Sequence, residues 1–263
     1  MKKTIFFLLF ASVLTSCSKV LLTGRKQLLL VSDSEILSSS LVSYKQFIDS
    51  VPASKDKANT ALVKKVGTKM SAVVEAYLKA NGMEAEVANF AWEFNLVKDT
   101  SVNAFCMPGG KVVVFEGILP VTKTEVGMAV VLGHEIAHAV AKHSNERASQ
   151  QMVVQYGSSI TDALLAGKSA ATRSTISTIY GIGSQYGVML PYSRKQELEA
   201  DRLGLIFLAM AGYNPNESIA FWERMSASSA NAPMEFMSTH PSDANRIAQL
   251  KKILPEAMQY YKK

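Results

Sequence analysis

The sequence predicts an α+β fold, mostly helical, with a small antiparallel sheet beside the helix that carries His134-Glu135-Ile136-Ala137-His138. Three observations support this. Apolar residues recur at helical spacing through most of the chain. Between Phe90 and Phe115 the pattern changes to short alternating runs broken by turn residues. Directly after that change comes an apolar stretch, Val126 to Val140, with the H-E-x-x-H motif inside it. With 263 residues and 48% hydrophobic content, the chain is long enough to bury a substantial core. Three segments are expected: residues 1–16 as a signal peptide, 17–31 as a lipidated linker, and 32–263 as one domain.

The first segment has Lys2 and Lys3 at its start and an apolar run, Ile5–Leu14, too short to span a bilayer. It ends in Leu14-Thr15-Ser16-Cys17, which resembles a bacterial lipobox. In that pathway Cys17 becomes the acylated first residue, anchored to a membrane by more than one chain. Ser18 after the cysteine suggests the outer membrane. With Cys17 acylated, Cys106 has no partner, which excludes a disulfide framework. The net charge of +6 falls to +4 without Lys2 and Lys3, and no dense basic cluster appears, so nucleic acid is not an expected partner.

After an extended linker, Ser32-Asp33-Ser34-Glu35 opens a helix that runs through Ile48. A second helix spans about Ala58–Ala80 and stops at Asn81-Gly82. Three strands follow, Phe90–Leu96, Val102–Cys106 and Lys111–Phe115, joined by turns at Asp99–Ser101 and Pro108–Gly110; they read as an antiparallel meander. An edge of such a sheet can pair with an extended peptide, or the sheet can simply cover the core. Thr122 and Glu125 have capping-box spacing, so the next helix is expected from there to about Ser144. Residues 145–190 are interrupted by five glycines and read as a helical hairpin, either a lid or a surface insertion. Ser193 and Gln196 suggest a second capping box for a helix to Ala211, stopped by Gly212-Tyr213-Asn214-Pro215. Helices over Asn216–Met225 and Asp243–Tyr260 complete the chain, the last kinked near Pro255.

On a helix, residues four apart lie on one face, so His134 and His138 can reach one metal ion, and Glu135 can reach a water bound to it. The helix is apolar nearly all round, and unpaired His and Glu would be costly there. A catalytic zinc usually takes three protein ligands and keeps a fourth place open. His143, five residues beyond His138, points away from the metal face of an unbroken helix. The third ligand must come from elsewhere. Glu197 and Asp201 share a face of the later helix. Glu197 could bind the metal and Asp201 could accept the free ring N–H of a ligating histidine; a solvated acidic face is the alternative. Glu199 falls on the other side and is expected in solvent.

The pair HEIAH (134–138) and ELEAD (197–201) resembles peptidase family M48, which includes CAAX-prenyl, HtpX-type and periplasmic quality-control proteases. The resemblance covers roughly residues 25–255. Asn103-Ala104-Phe105 resembles that family's segment on the active-site edge strand, and His240-Pro241 with Arg246 its C-terminal motif. It implies a mostly helical, zincin-like metallopeptidase with one Zn²⁺ per subunit on His134, His138 and Glu197, and Glu135 as the catalytic base. Asp201, Asn103, His240 and Arg246 are then supporting or substrate-binding residues. His240 could occupy the zinc's open position and hold the enzyme latent. Arg246 would bind a substrate carbonyl or stabilise charge, or lie on the surface of the last helix. Gly109 and Gly110 would let a substrate backbone approach. The expected function is endopeptidase cleavage of misfolded or unassembled envelope proteins, on unfolded or extended polypeptides, at a membrane held through lipid on Cys17. Two other classes compete: a lipid-anchored assembly factor with low or latent proteolysis, and a structural zinc protein.

Overall fold

The computed structural model describes residues 17–167, 170, 173–174, 190–229, 236, 240 and 246–262. Residues 1–16, expected as a signal peptide, and much of the 168–189 stretch lie outside them. In chain order the elements are strands β1 (Cys17–Lys19) and β2 (Lys26–Leu28), helices α1 (Asp33–Ser50), α2 (Lys57–Ala80) and α3 (Glu84–Val87), and strands β3 (Glu93–Val97), β4 (Ala104–Met107) and β5 (Lys111–Phe115). A short 3₁₀ turn, Glu116–Ile118, leads into α4 (Leu119–Thr122), α5 (Glu125–Val140), α6 (His143–Leu164), α7 (Leu190–Met210), α8 (Glu217–Ser229) and α9 (Arg246–Met258). Among the described residues no helix is long and apolar enough to cross a membrane.

α5 is the central element. It is buried from Gly127 to His138 and packs against α2, α4, α7, α8 and β4. Its own composition explains the burial: Met128, Val130, Val131, Leu132 and Ile136 present apolar surface on every side. Helix α7 crosses α5 where two glycines meet. A Cβ on Gly204 would sit 3.0 Å from the His134 backbone nitrogen, and one on Gly133 would sit 3.1 Å from the Gly204 carbonyl oxygen. Only backbone fits at this crossing. Beyond it, Leu203, Ile206, Phe207 and Leu208 of α7 enter the same core as α5.

The three-stranded sheet corrects the meander. Its order is β3-β5-β4, with β3 parallel to β5 and β4 antiparallel to it. The reason is visible in Lys111-Val112-Val113-Val114-Phe115, which is buried at every position. A strand with no polar alternation needs cover on both faces and both edges, so it takes the centre. The Asp99–Ser101 turn therefore carries the chain across to the far edge instead of closing a hairpin. Gly109 and Gly110 adopt φ of 88° and 81° in the β4–β5 turn, and a Cβ on Gly110 would meet the Trp92 ring at 2.6 Å. They serve this turn, and the space in front of Gly110 is filled by Trp92, which corrects their expected use as a path for substrate backbone.

Helix boundaries follow local chemistry. Ser32 and Glu35 form the capping box that opens α1. For α5 the cap is Thr124, whose hydroxyl accepts from Gly127 N at 3.0 Å, so the Thr122–Glu125 box does not form. Likewise α7 begins at Leu190, which places Ser193 inside the helix. α7 ends as its Gly-Tyr-Asn-Pro sequence requires: Gly212 has φ 75°, and Tyr213 N reaches back to Leu208 O at 3.1 Å. Within the 145–190 stretch, residues 145–164 lie in one long helix, with Gly157 inside it.

Residues 17–31, expected as an extended linker, fold instead. β1 and β2 form an antiparallel pair with Cys17 opposite Leu28, and Val20 and Gln27 are buried. The following segment is tied to α6, where Leu30 N donates to Ser149 Oγ at 2.8 Å and Asn145 Nδ2 donates to Val31 O at 3.0 Å.

Candidate metal centre

His134 directly follows Gly133 at the α5–α7 crossing, and His138 lies one turn further along α5. That close approach brings Glu197 and Asp201 of α7 opposite them. The Glu197 carboxylate lies among three imidazoles: Oε2 is 3.2 Å from His134 Nε2 and 3.3 Å from His240 Nδ1, and Oε1 is 3.4 Å from His138 Nε2. His134 Nε2 is itself 3.2 Å from His138 Nε2 and 3.4 Å from His240 Nδ1. All four side chains are buried, and one ligand atom from each lies within 4.8 Å of the others.

This cluster tests whether a metal ion fits. Both Glu197 oxygens are buried and make no hydrogen bond among the described residues. A buried carboxylate without hydrogen bonds depends on nearby positive charge. Three imidazole nitrogens and a carboxylate aimed at one point would repel or leave lone pairs unmet unless a cation stood between them. The donor set fits a metal ion. The electrostatics agree. Burial opposes ionisation of Glu197, but the surrounding histidines outweigh it and hold its carboxyl far below the usual range. Burial also pulls His134 down, yet its contacts to Asp201 and Glu197 prevail and raise it to about 9. His138 is instead depressed well below its ordinary value, chiefly by burial. A metal ion bound here would take the place of the proton that these carboxylates otherwise draw onto the pocket.

Glu135 is buried beside the cluster, with Oε1 3.6 Å from His240 Nε2 and without a hydrogen bond among the described residues. Burial raises its pKa above the ordinary carboxylate value, which suits a proton acceptor. Asp201 Oδ1 lies 3.0 Å from His134 Nδ1, the ring nitrogen opposite the metal side. Arg246 clamps Asp201 with Nε–Oδ2 at 2.8 Å and Nη2–Oδ1 at 2.5 Å, and its guanidinium carbon lies 3.4 Å over the Trp222 ring. Arg246 is therefore a buried support for Asp201, one of the two roles expected of it, and not the surface arginine that was the alternative. Asn103 is buried at the start of the edge strand, its Oδ1 accepting from Ala104 N at 2.9 Å and its carbonyl from Phe115 N at 3.1 Å. His240 stacks on Phe236 at 4.5 Å, and Phe236 N donates to Val102 O at 3.0 Å, which ties this segment to the same strand start.

Two sequence expectations fail here, for one reason. α5 does not run on to Ser144. It ends at Val140 with Ala141 as its cap, and Lys142 takes a left-handed φ of 55°. The break turns His143 back under His138, with their Nδ1 atoms 2.8 Å apart. His143 then meets Glu199 at 3.1 Å, and Glu199 is buried instead of solvated. Burial works against the Glu199 charge, but His143, Arg25 and Thr23 overcome it and lower its pKa to about 2. Arg25, Glu146 and Glu199 were not anticipated as neighbours of the site. The sequence signal available was the crowding of three of the chain's four histidines between 134 and 143.

Two helix histidines, a glutamate from a second helix and a glutamate beside the first histidine define a metal-dependent hydrolase site. The comparison with known families agrees: the model of peptidase family M48 matches residues 65–254. The chain belongs to peptidase family M48. It is 38% identical over 190 residues to the mitochondrial metalloendopeptidase OMA1 of Schizosaccharomyces pombe, covering 72% of this chain and 53% of that protein. Against OMA1 of Homo sapiens it is 30% identical over 256 residues, covering 94% and 46%. The beta-barrel assembly-enhancing protease of Escherichia coli is 27% identical over 181 residues, covering 65% and 37%. The chain thus spans about half or less of the length of these relatives.

Proposed function

We propose that this protein is a zinc-dependent endopeptidase of the bacterial cell envelope, anchored by lipid on Cys17 at the outer membrane and facing the periplasm. It acts there on misfolded or unassembled envelope polypeptides. The observation that carries the hydrolytic part is the buried Glu197 carboxylate, set among three converging imidazoles without a hydrogen bond among the described residues, with Glu135 alongside. His134, His138 and Glu197 would hold the ion. Zinc supplies Lewis acidity, polarising a carbonyl and acidifying water. Glu135 accepts the proton of the attacking water and delivers it to the leaving amine. Asp201, held by Arg246, keeps His134 in the tautomer that points Nε2 inward. An extended substrate has a strand to pair with in β4, which stands at the edge of its sheet among the described residues. The signal-like residues 1–16, Leu14-Thr15-Ser16-Cys17 and the name of the Escherichia coli relative support the envelope location.

The position of His240 favours a latent resting form, because its Nδ1 stands where a fourth ligand belongs. In that form the protein resembles the alternative of a lipid-anchored assembly factor with low proteolysis. His240→Ala is expected to raise cleavage of an unfolded polypeptide several-fold; unchanged or lost cleavage contradicts the latch. For the enzyme itself, protein stripped by a chelator should lose cleavage and regain it with zinc. Cleavage that persists without metal contradicts the proposal.

A further inference from the structure

Behind His138 runs a line of buried contacts that the hydrolytic scheme does not use. His138 Nε2 faces the metal side, 3.4 Å from Glu197 Oε1. Its other nitrogen, Nδ1, lies 2.8 Å from His143 Nδ1, and His143 Nε2 lies 3.1 Å from Glu199 Oε2. Glu199 accepts from Arg25 Nε at 2.8 Å and from the Thr23 hydroxyl. The remaining Arg25 nitrogens donate to Glu146 Oε1 at 2.6 Å and Oε2 at 2.8 Å, and Gln196 Nε2 donates to Glu146 Oε2 at 2.8 Å. His143, Glu146 and Glu199 are all buried.

The hydrogens in this line have one consistent arrangement. A metal on Nε2 of His138 leaves the hydrogen on Nδ1. That N–H donates to Nδ1 of His143, so His143 carries its own hydrogen on Nε2 and donates it to the Glu199 carboxylate. The same logic stands behind His134 in a shorter form, where Nδ1 meets Asp201 directly and Arg246 clamps Asp201. Each α5 histidine thus has a carboxylate behind it, and each carboxylate has an arginine. For His138 the distance is longer, and His143 fills it.

We propose that His143, Glu199 and Arg25 form a positioning arm for the metal ligand His138, which makes the amino-terminal β1–β2 hairpin a working part of the metal centre. The inference rests on the metal reading above. Arg25 sits in the loop between the strands and reaches both α6, through Glu146, and α7, through Glu199. It joins the two helices behind the site at the point where the His138 tautomer is fixed. Removing the arm leaves His138 free to rotate and to protonate on the wrong nitrogen. Groups in this position behind a ligating histidine typically account for about 10- to 100-fold in metal affinity.

The test uses the full-length chain in detergent micelles, freed of metal and titrated with zinc in competition with a chromophoric chelator. Thermal unfolding of the metal-free and zinc-loaded forms is recorded beside it. His143→Ala and Arg25→Gln are expected to weaken zinc binding by about 10- to 100-fold and to reduce the gain in Tm on adding zinc. His143→Gln should restore most of the affinity, because its amide can accept from His138 and donate to Glu199. A role in packing alone would lower the metal-free Tm and leave the affinity and the zinc-induced gain unchanged; that result overturns the proposal. If His143→Ala does not fold, Arg25→Gln decides by the same two readouts. A wild-type chain that binds no zinc overturns the arm and the metal reading together. Zinc binding that is normal in wild type and in Arg25→Gln overturns the arm alone.

Discussion

Glu197 is the residue on which the site turns. Its oxygens are buried, face three histidine nitrogens at 3.2 to 3.4 Å, and have no hydrogen bond among the described residues. The two α5 histidines and Glu135 were legible from the H-E-x-x-H pattern. Spacing put Glu197 and Asp201 on one face and left a solvated face as the alternative until the family resemblance gave them roles. His143 and Glu199 were not legible. Their wheel positions assumed an unbroken helix, and nothing in Ala141-Lys142-His143 announces the left-handed turn at Lys142. Arg25 was hidden for another reason: a short hairpin with weak strand propensity gives no sign of where it docks. Cys106 shows how completely the site is enclosed. Its thiol is free and buried on β4, and burial, helped by the charge of Glu135, pushes it well above its ordinary value of 9.0. A folded pKa raised in this way contributes stability below about pH 9 that is lost as pH rises further, since only the unfolded chain then releases the proton. With Cys17 blocked, Cys106 should therefore resist alkylation at pH 8 in the folded protein and react at once in denaturant. Rapid labelling of the native protein would show that this side of the core is open.

Between elements, the crossing of α5 and α7 sets the metal geometry. Gly133 and Gly204 bring the two backbones into contact one residue before His134. Substituting Gly204→Ala places a Cβ 3.0 Å from the His134 backbone nitrogen. Neither partner is a flexible side chain, so the helices must separate. Overpacking of this kind costs about 1–3 kcal/mol, and here it also moves Glu197 away from the histidines. Reduced thermal stability together with weaker zinc binding is the expected result. Unchanged values of both would mean that the crossing does not govern the site. The sequence carried both helices but not their contact, because a glycine inside a helix reads only as a weak position. The sheet has a similar history. Its three strands were legible, while their order depended on one property, the lack of polar alternation in β5, that outranked the turn signals.

Across the molecule, the centre collects residues from Arg25 near the amino terminus to Arg246 on the last helix. Side chains from the hairpin loop, α5, α6, α7, residue 240 and α9 meet there, so a bound ion would join segments far apart in the sequence. Binding to the folded form alone stabilises it by mass action, about 4 kcal/mol when free zinc is 1,000 times its Kd. For a chain of this size that corresponds to a Tm roughly 10 °C higher with zinc than without it. A metal-free Tm equal to the zinc-loaded one would place the ion outside this junction. The central claim, that Glu135 performs the proton transfer at a metal held by His134, His138 and Glu197, is tested most directly by Glu135→Gln. Zinc content after dialysis and cleavage of an unfolded polypeptide would be measured side by side with wild type. One zinc retained per chain, with cleavage reduced by at least about 100-fold, is the predicted result. A Glu135→Gln protein that cleaves as fast as wild type would contradict it.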